Sequence, residues 1–188
     1  MLRSSNQLLR WTTLYHNIHQ RSYYMWLNFV FNRVDTSRLE EFGPDRVAAE
    51  WVLRNGGGVK FLQHDGWVWN YNALAAGPRE KYKLQKINGK NTCITTGGLL
   101  HLEGLKCLEY LNLHGCKYVG DVNKLLPVKE TLEELDISLC TAITDISPLS
   151  QLRRLKKLNL TGLQRIKNRE KALEDLQKTL PDCEITDD

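Results

Sequence analysis

Cysteine is the residue type whose chemistry needs deciding first. The chain carries five: Cys93, Cys107, Cys116, Cys140 and Cys183. An odd count at wide spacing does not describe a disulfide framework, and the lack of a CxxC pair argues against structural zinc. Reduced thiols suit a matrix-type compartment. Cys116 lies in LEYLNLHGCKYVGD (108–121) and Cys140 in LEELDISLCTAITD (132–145), the same skeleton displaced by 24 residues. Either the thiol works chemically or it packs in a repeated wall. A shared repeat offset favours packing, where cysteine acts as a small apolar filler.

Other reactive patterns are sparse. The chain has no P-loop, GxSxG, HExxH or GxGxxG motif. NGGGVKF (55–61) reads as a helix cap running into a strand, although such a terminus with free amides can hold an anion or an ion–water cluster. The histidines do not pair at metal spacing. Trp67 and Trp69 fall on one face of a period-2 stretch and read as core. Nothing supports nucleophilic or acid–base catalysis, so the chain reads as non-enzymatic, with no small-molecule substrate.

Two units must position these residues. Residues 23–81 form the first. WLNFVFNRVD places Leu27, Val30, Phe31 and Val34 at helical spacing. Ser37 and Glu40 predict a capping box for a short helix from Arg38 to Phe42. GPDRVAAEWVLRNGGG predicts a third helix, with Pro44 and Asp45 in its first turn. Val47, Ala48, Trp51 and Val52 form its buried face, and Asn55-Gly56 its left-handed cap. VKFLQHDGWVWNY predicts a hairpin about Asp65-Gly66, followed by a linker, NALAAGPREK.

The second unit, 82–188, is periodic. Leu111, Leu135 and Leu158 are spaced by 24 and 23 residues. Leu113, Ile137 and Leu160 follow in step, then Cys116, Cys140 and Leu163, then Val119, Ile143 and Ile166. Leu84 and Ile87 suggest a degenerate first turn, and LEDLQKTLPDCEI a capping helix with a last strand. Period and pattern predict an α/β fold: a short leucine-rich-repeat solenoid of the cysteine-containing type behind a small helical and β-hairpin domain. LxL strands bury alternate residues, and helices form the return segments.

Net charge is +4, unevenly spread. Residues 1–22 are rich in arginine and hydroxyls, and the first acid is Asp35. This composition predicts a mitochondrial transit peptide, the alternative being a disordered basic tail. Removing Arg3, Arg10 and Arg21 would leave +1, which weakens any nucleic-acid reading. Residues 151–178 hold nine Lys/Arg against three acids, a local +6. Arg153, Arg154, Lys156 and Lys157 head this segment, which suits an acidic protein or lipid surface, or equally a solvated face. No apolar run approaches the roughly 18–20 residues that span a bilayer.

WLNFVFNRVDTSRLEEFGPDRVAAEWVLRNGGGVKF, then WNYN, GPREKYKLQKI and a short repeat tail, resembles the mitochondrial coupling factor B family. Its members are also called ATP synthase subunit s or distal membrane-arm assembly component 2-like protein. The resemblance runs from residue 24 to about 182, and GPDRxAxEWxLR is its specific part. It implies a non-enzymatic partner of the ATP synthase membrane sector and stalk, peripheral on the matrix face of the inner membrane, that blocks a proton leak. It also implies Mg2+ in the N-terminal domain, at positions matching the Gly56 amide and the Lys90 carbonyl. Lys90 replaces another residue type there, and an amide N–H reaches a cation only through water or an anion. The family's LxCxC dithiol is LHGC here: Cys116 matches the second thiol and His114 replaces the first, so no vicinal dithiol can form. A further family cysteine is Asn55 here. Candidate partner-binding residues are Arg153, Arg154, Lys156, Lys157, His114 and Cys116. Two rival readings are an assembly factor for the membrane arm of complex I and a leucine-rich-repeat substrate adaptor.

Overall fold

The computed structural model describes residues 26–74 and 82–187. The expected transit segment and most of the linker lie outside the described residues. The architecture is mixed α/β, with one six-stranded sheet in sequential order. Its strands are β1 (Gly58–Phe61), β2 (Leu84–Asn88), β3 (Tyr110–Asn112), β4 (Glu134–Asp136), β5 (Lys157–Asn159) and β6 (Glu184–Thr186). β1 runs antiparallel to β2, and β2 to β6 are parallel.

The repeat fixes the register. Ile87, Leu111, Leu135, Leu158 and Ile185 are paired in one row across β2–β6. Leu111, Leu135 and Leu158 are almost fully buried, and Leu113, Ile137, Cys116, Cys140 and Val119 form deeper rows with no exposure. Ile166, the last residue aligned by the period, is only partly buried. Burying the same side chain in each turn makes the core continuous along the stack.

Strand ends repeat too. Asn88, Asn112, Asp136 and Asn159 each accept, through a side-chain oxygen, the amide two residues on, at 2.9–3.1 Å. These Asx turns bend the chain out of the sheet. Three residues further on, Asn91, Gly115, Leu139 and Gly162 all have positive φ.

The return segments are 3-10 helices, Gly98–Leu102, Val122–Val128 and Ser147–Gln151, where longer helical pieces were expected. A 3-10 helix rises about 2.0 Å per residue against 1.5 Å in an α-helix, so a short repeat crosses the core with fewer residues. Pro127, inside its segment, also opposes α-helical hydrogen bonding.

Among the described residues four α-helices flank this stack. α1 covers residues 26–32. Its apolar residues do not form the buried face that their spacing suggests: Phe29, Val30 and Phe31 are exposed, and the buried residue is Asn32. Asn32 accepts from Trp51 Nε1 and the Thr95 amide and donates to the Cys93 carbonyl, joining α1 to two other elements. α2 (Thr36–Phe42) is capped by Asp35, whose side chain accepts from the Arg38 amide, so the start lies two residues before the expected capping box. α3 (Pro44–Arg54) buries Val47, Ala48, Trp51 and Val52 as expected, and Gly56 closes it at φ +82°. α4 (Arg169–Thr179) begins before the expected capping helix and leads into β6.

The expected hairpin is reduced to a single Val59–Val68 bridge. β1 pairs instead with β2, because the strand pattern of VKF can satisfy its other edge there. The sheet therefore runs unbroken across the boundary expected between the two units.

Candidate interaction surfaces

The outward face of the sheet carries side chains that alternate with the core row. One row reads Lys60, Lys86, Tyr110, Glu134, Lys157, Glu184 across β1–β6. A depression of about 250 Å³ lies over β3–β6, lined by Tyr110, Glu134, Asp136, Lys157, Asn159 and Glu184.

Trp67 and Trp69, expected in the core, stand on this face and are 37% and 56% exposed. Val68 between them is the residue that packs on the core. Period 2 then forces both rings to the other side. Trp69 lies over Gly58, where a Cβ would come within 2.6 Å of the ring. Trp67 stacks on Trp69 (centroids 5.8 Å) and meets Tyr110 edge-on at 6.2 Å. Lys86 Nζ sits 5.7 Å from the Tyr110 ring centroid.

The four basic candidates separate into different environments. Lys157 stands on the sheet face between Glu134 and Glu184 in register. Lys156 and Arg154 lie at the lip and bind one carboxylate, Glu133, at 2.7 and 3.4 Å. Lys156 first, then Arg154, hold Glu133 below the usual carboxylate range. Arg153 is exposed. Arg169 is engaged by Asp187, and Lys178 by Glu174. Four of the nine cations in the +6 segment are therefore paired with carboxylates of this chain.

His114 and Cys116 also part company. Cys116 is fully buried; its thiol donates to the Gly89 carbonyl at 3.1 Å, and burial pushes its pKa up. His114 is half-buried, with Nδ1 2.7 Å from Ser138 Oγ, and Ser138 in turn donates to Asp136. Serine is the middle member of this chain, and its hydroxyl is 2.7 Å from the imidazole it would need as a base while its proton is held by Asp136. The arrangement aligns adjacent turns.

Gly56 and Lys90 are both exposed. The Gly56 amide donates to the Leu53 carbonyl at 3.1 Å, and the Lys90 amide to Asn88 Oδ1. Among the described residues no group of three or more His, Cys, Asp or Glu is placed to hold a metal ion. Direct Mg2+ coordination favours carboxylate oxygens, so these two positions fit such an ion only through backbone carbonyls and water.

Sequence reading missed a charged hub in the N-terminal unit. Glu50, 2% exposed, accepts from Arg38, Arg46 and Arg54 at 2.7, 2.9 and 3.4 Å. Arg46, Glu50 and Arg54 are spaced by four on α3, and that spacing was visible. Arg38 comes from α2, and its hydrogen bond to Glu50 raises its pKa further.

The specific motif of the N-terminal unit thus builds α3 and its hub, and the periodic part builds the sheet. Similarity to known proteins covers nearly the whole chain. ATP synthase subunit s, mitochondrial, of Homo sapiens is 37% identical over 188 residues, 96% of this chain and 94% of that one. The chain belongs to the mitochondrial ATP synthase subunit s family. The Bos taurus member is 37% identical over 172 residues, covering 88% of this chain and 86% of its own. The Rattus norvegicus subunit s is 36% identical over 96% of this chain and 94% of its own. No protein-family model matches the chain. Among the described residues no helix is long and apolar enough to cross a membrane.

Proposed function

We propose that this chain is a non-enzymatic accessory subunit of the mitochondrial ATP synthase, peripheral on the matrix face of the inner membrane, that sustains ATP synthesis by limiting proton leak. The observation that carries the reading is 35–37% identity to the subunit s proteins of six mammals, over most of the chain. The repeat spacing supports a leucine-rich-repeat solenoid of the cysteine-containing type, which offers a broad rigid surface to a protein partner. On this reading the sheet face and the basic lip residues Arg153, Arg154 and Lys156 contact membrane-sector or stalk subunits. Mg2+ bound through water beside Gly56 and Lys90 is part of the same proposal.

Inner-membrane vesicles stripped of peripheral proteins test it. The respiratory proton gradient is followed with and without added protein lacking residues 1–22. Restoration of the gradient, made redundant by an ATP-synthase channel blocker, is the expected result. An indifferent gradient would turn the assignment toward assembly of the complex I membrane arm, and co-migration only with assembly intermediates would establish that alternative.

A further inference from the structure

The outward sheet face is divided in charge and in chemistry. At one end three aromatic rings converge, Trp67, Trp69 and Tyr110, with Lys60 and Lys86 beside them on β1 and β2. At the other, Glu134, Asp136 and Glu184 surround a single cation, Lys157. Among the described residues, Glu134, Glu184 and Lys157 form no ion pair; the nearby pairs belong to Glu133 at the lip. Asp136 is held by neutral groups, Ser138 and Asn112.

We infer that this face docks a basic segment of a partner protein, with a bulky apolar residue on the Trp67–Trp69–Tyr110 rings and lysine or arginine over Glu134, Asp136 and Glu184. The inference rests on the reading that the sheet face is the partner-binding surface. Half-exposed tryptophans next to a tyrosine are the usual anchors of an interface, since rigid rings bury much area at little entropic cost. Trp69 is already fixed by its seat on Gly58. The carboxylates supply selectivity for positive charge. Lys60 and Lys86 repel that charge at the aromatic end and so fix the direction of docking. From Tyr110 on β3 the carboxylates stand one and three strand spacings away, about 5 Å to β4 and about 14 Å to β6, on either side of Lys157. The partner's basic residues must therefore lie about one and three helical turns from its apolar residue, about 5 and 16 Å, so that neither meets Lys157.

The test titrates the chain lacking residues 1–22 with a fluorescent synthetic helical peptide bearing one phenylalanine and a lysine–arginine pair, one and three turns on from it. A mirror peptide carries glutamates in place of the pair. The basic peptide is expected to bind at least about tenfold more tightly than its mirror, and E134K/E184K to reverse the order. The E134Q/E184Q variant, which adds no repulsion, should abolish the preference and leave the fold intact by circular dichroism. Trp67→Ala should weaken both peptides. Equal binding, no binding, or preference for the acidic mirror would overturn the inference. Wild-type protein is also sedimented with ATP-synthase-bearing vesicles. Selective peptide binding without sedimentation would remove the ATP synthase assignment and keep the surface. Sedimentation without peptide selectivity would remove the surface alone.

Discussion

The thiol of Cys140 donates to the backbone carbonyl of Leu113 at 3.0 Å, one repeat behind it. Cys116 does the same to Gly89, and 24 residues separate both donors and both acceptors. The repeated cysteine is therefore more than a filler: it ties each turn to the one before. Burial raises the Cys140 pKa to about 12, so the thiolate that redox or metal chemistry needs is not formed near neutrality. Thiol reagents should modify exposed Cys93 first in the native protein and leave Cys116 and Cys140 unmodified until unfolding, as mass spectrometry of timed alkylation will show. Because the folded pKa is raised, the Cys140 contribution is complete below about pH 9 and is lost as pH rises towards 12. Cys140→Ala should cost about 1–2 kcal/mol in urea unfolding, for the lost volume and hydrogen bond.

His101 gives the opposite pH dependence. It stacks on Trp51 at 5.0 Å between ring centroids, and neither ring nitrogen has a hydrogen-bond partner. Burial lowers its pKa to about 4; the Arg33 backbone opposes this without a hydrogen bond of acceptable geometry, and the Arg54 charge adds to it. The unfolded chain takes up this proton near pH 6.5 and the folded chain near 4. Stability should therefore fall as pH drops through that window, by up to about 3 kcal/mol. His101→Phe keeps the stack and removes the proton. Its urea-unfolding free energy should vary less between pH 7 and 4 than that of the wild type; identical pH profiles would refute the assignment.

The Glu50 hub should be asymmetric to mutation. Removing the carboxylate takes away the acceptor that three clustered guanidinium groups share, so Glu50→Ala is expected to destabilise by about 3–5 kcal/mol. Removing Arg54, whose side chain is 41% exposed, leaves Glu50 with two partners and should cost under about 1 kcal/mol. Thermal and urea melts of both variants check this ordering, and raised salt should not rescue Glu50→Ala, because the hub is poorly screened.

What could be read in the sequence follows from periodicity. Leu111, Leu135 and Leu158 recur because every turn solves the same packing problem, so one aligned column predicts a whole row of the core. Where partners distant in sequence decide which residue is buried, the reading failed. Asn32 is buried because Trp51, Cys93 and Thr95, all distant in sequence, meet its amide, and no local pattern records that. Trp67 and Trp69 share a face, as their spacing says, but which face is core depends on Val68 pairing with Val59. The basic segment was legible only as a count of charges, which does not record that Glu133 faces Lys156 and Arg154 across a repeat.

Leu139 is the position where the repeat is under strain. The corresponding residues in the other turns are Asn91, Gly115 and Gly162, types that accept positive φ. Leu139 adopts φ +56° with a β-carbon, at a general cost of about 1–2 kcal/mol. Its amide donates to the Thr161 carbonyl at 2.9 Å, which holds the turn in place. The side chain is 45% exposed, so the strain is not offset by deep burial, although it does pack against Gly162. Leu139→Asn keeps the amide and matches the residue at Asn91. It should stabilise the protein by about 0.5–1 kcal/mol, a rise of a few degrees in Tm by calorimetry. A loss of stability would show that contact with the next turn outweighs the backbone strain. In that case Gly162, where a Cβ would meet the Leu139 side chain, is glycine to make room for the leucine.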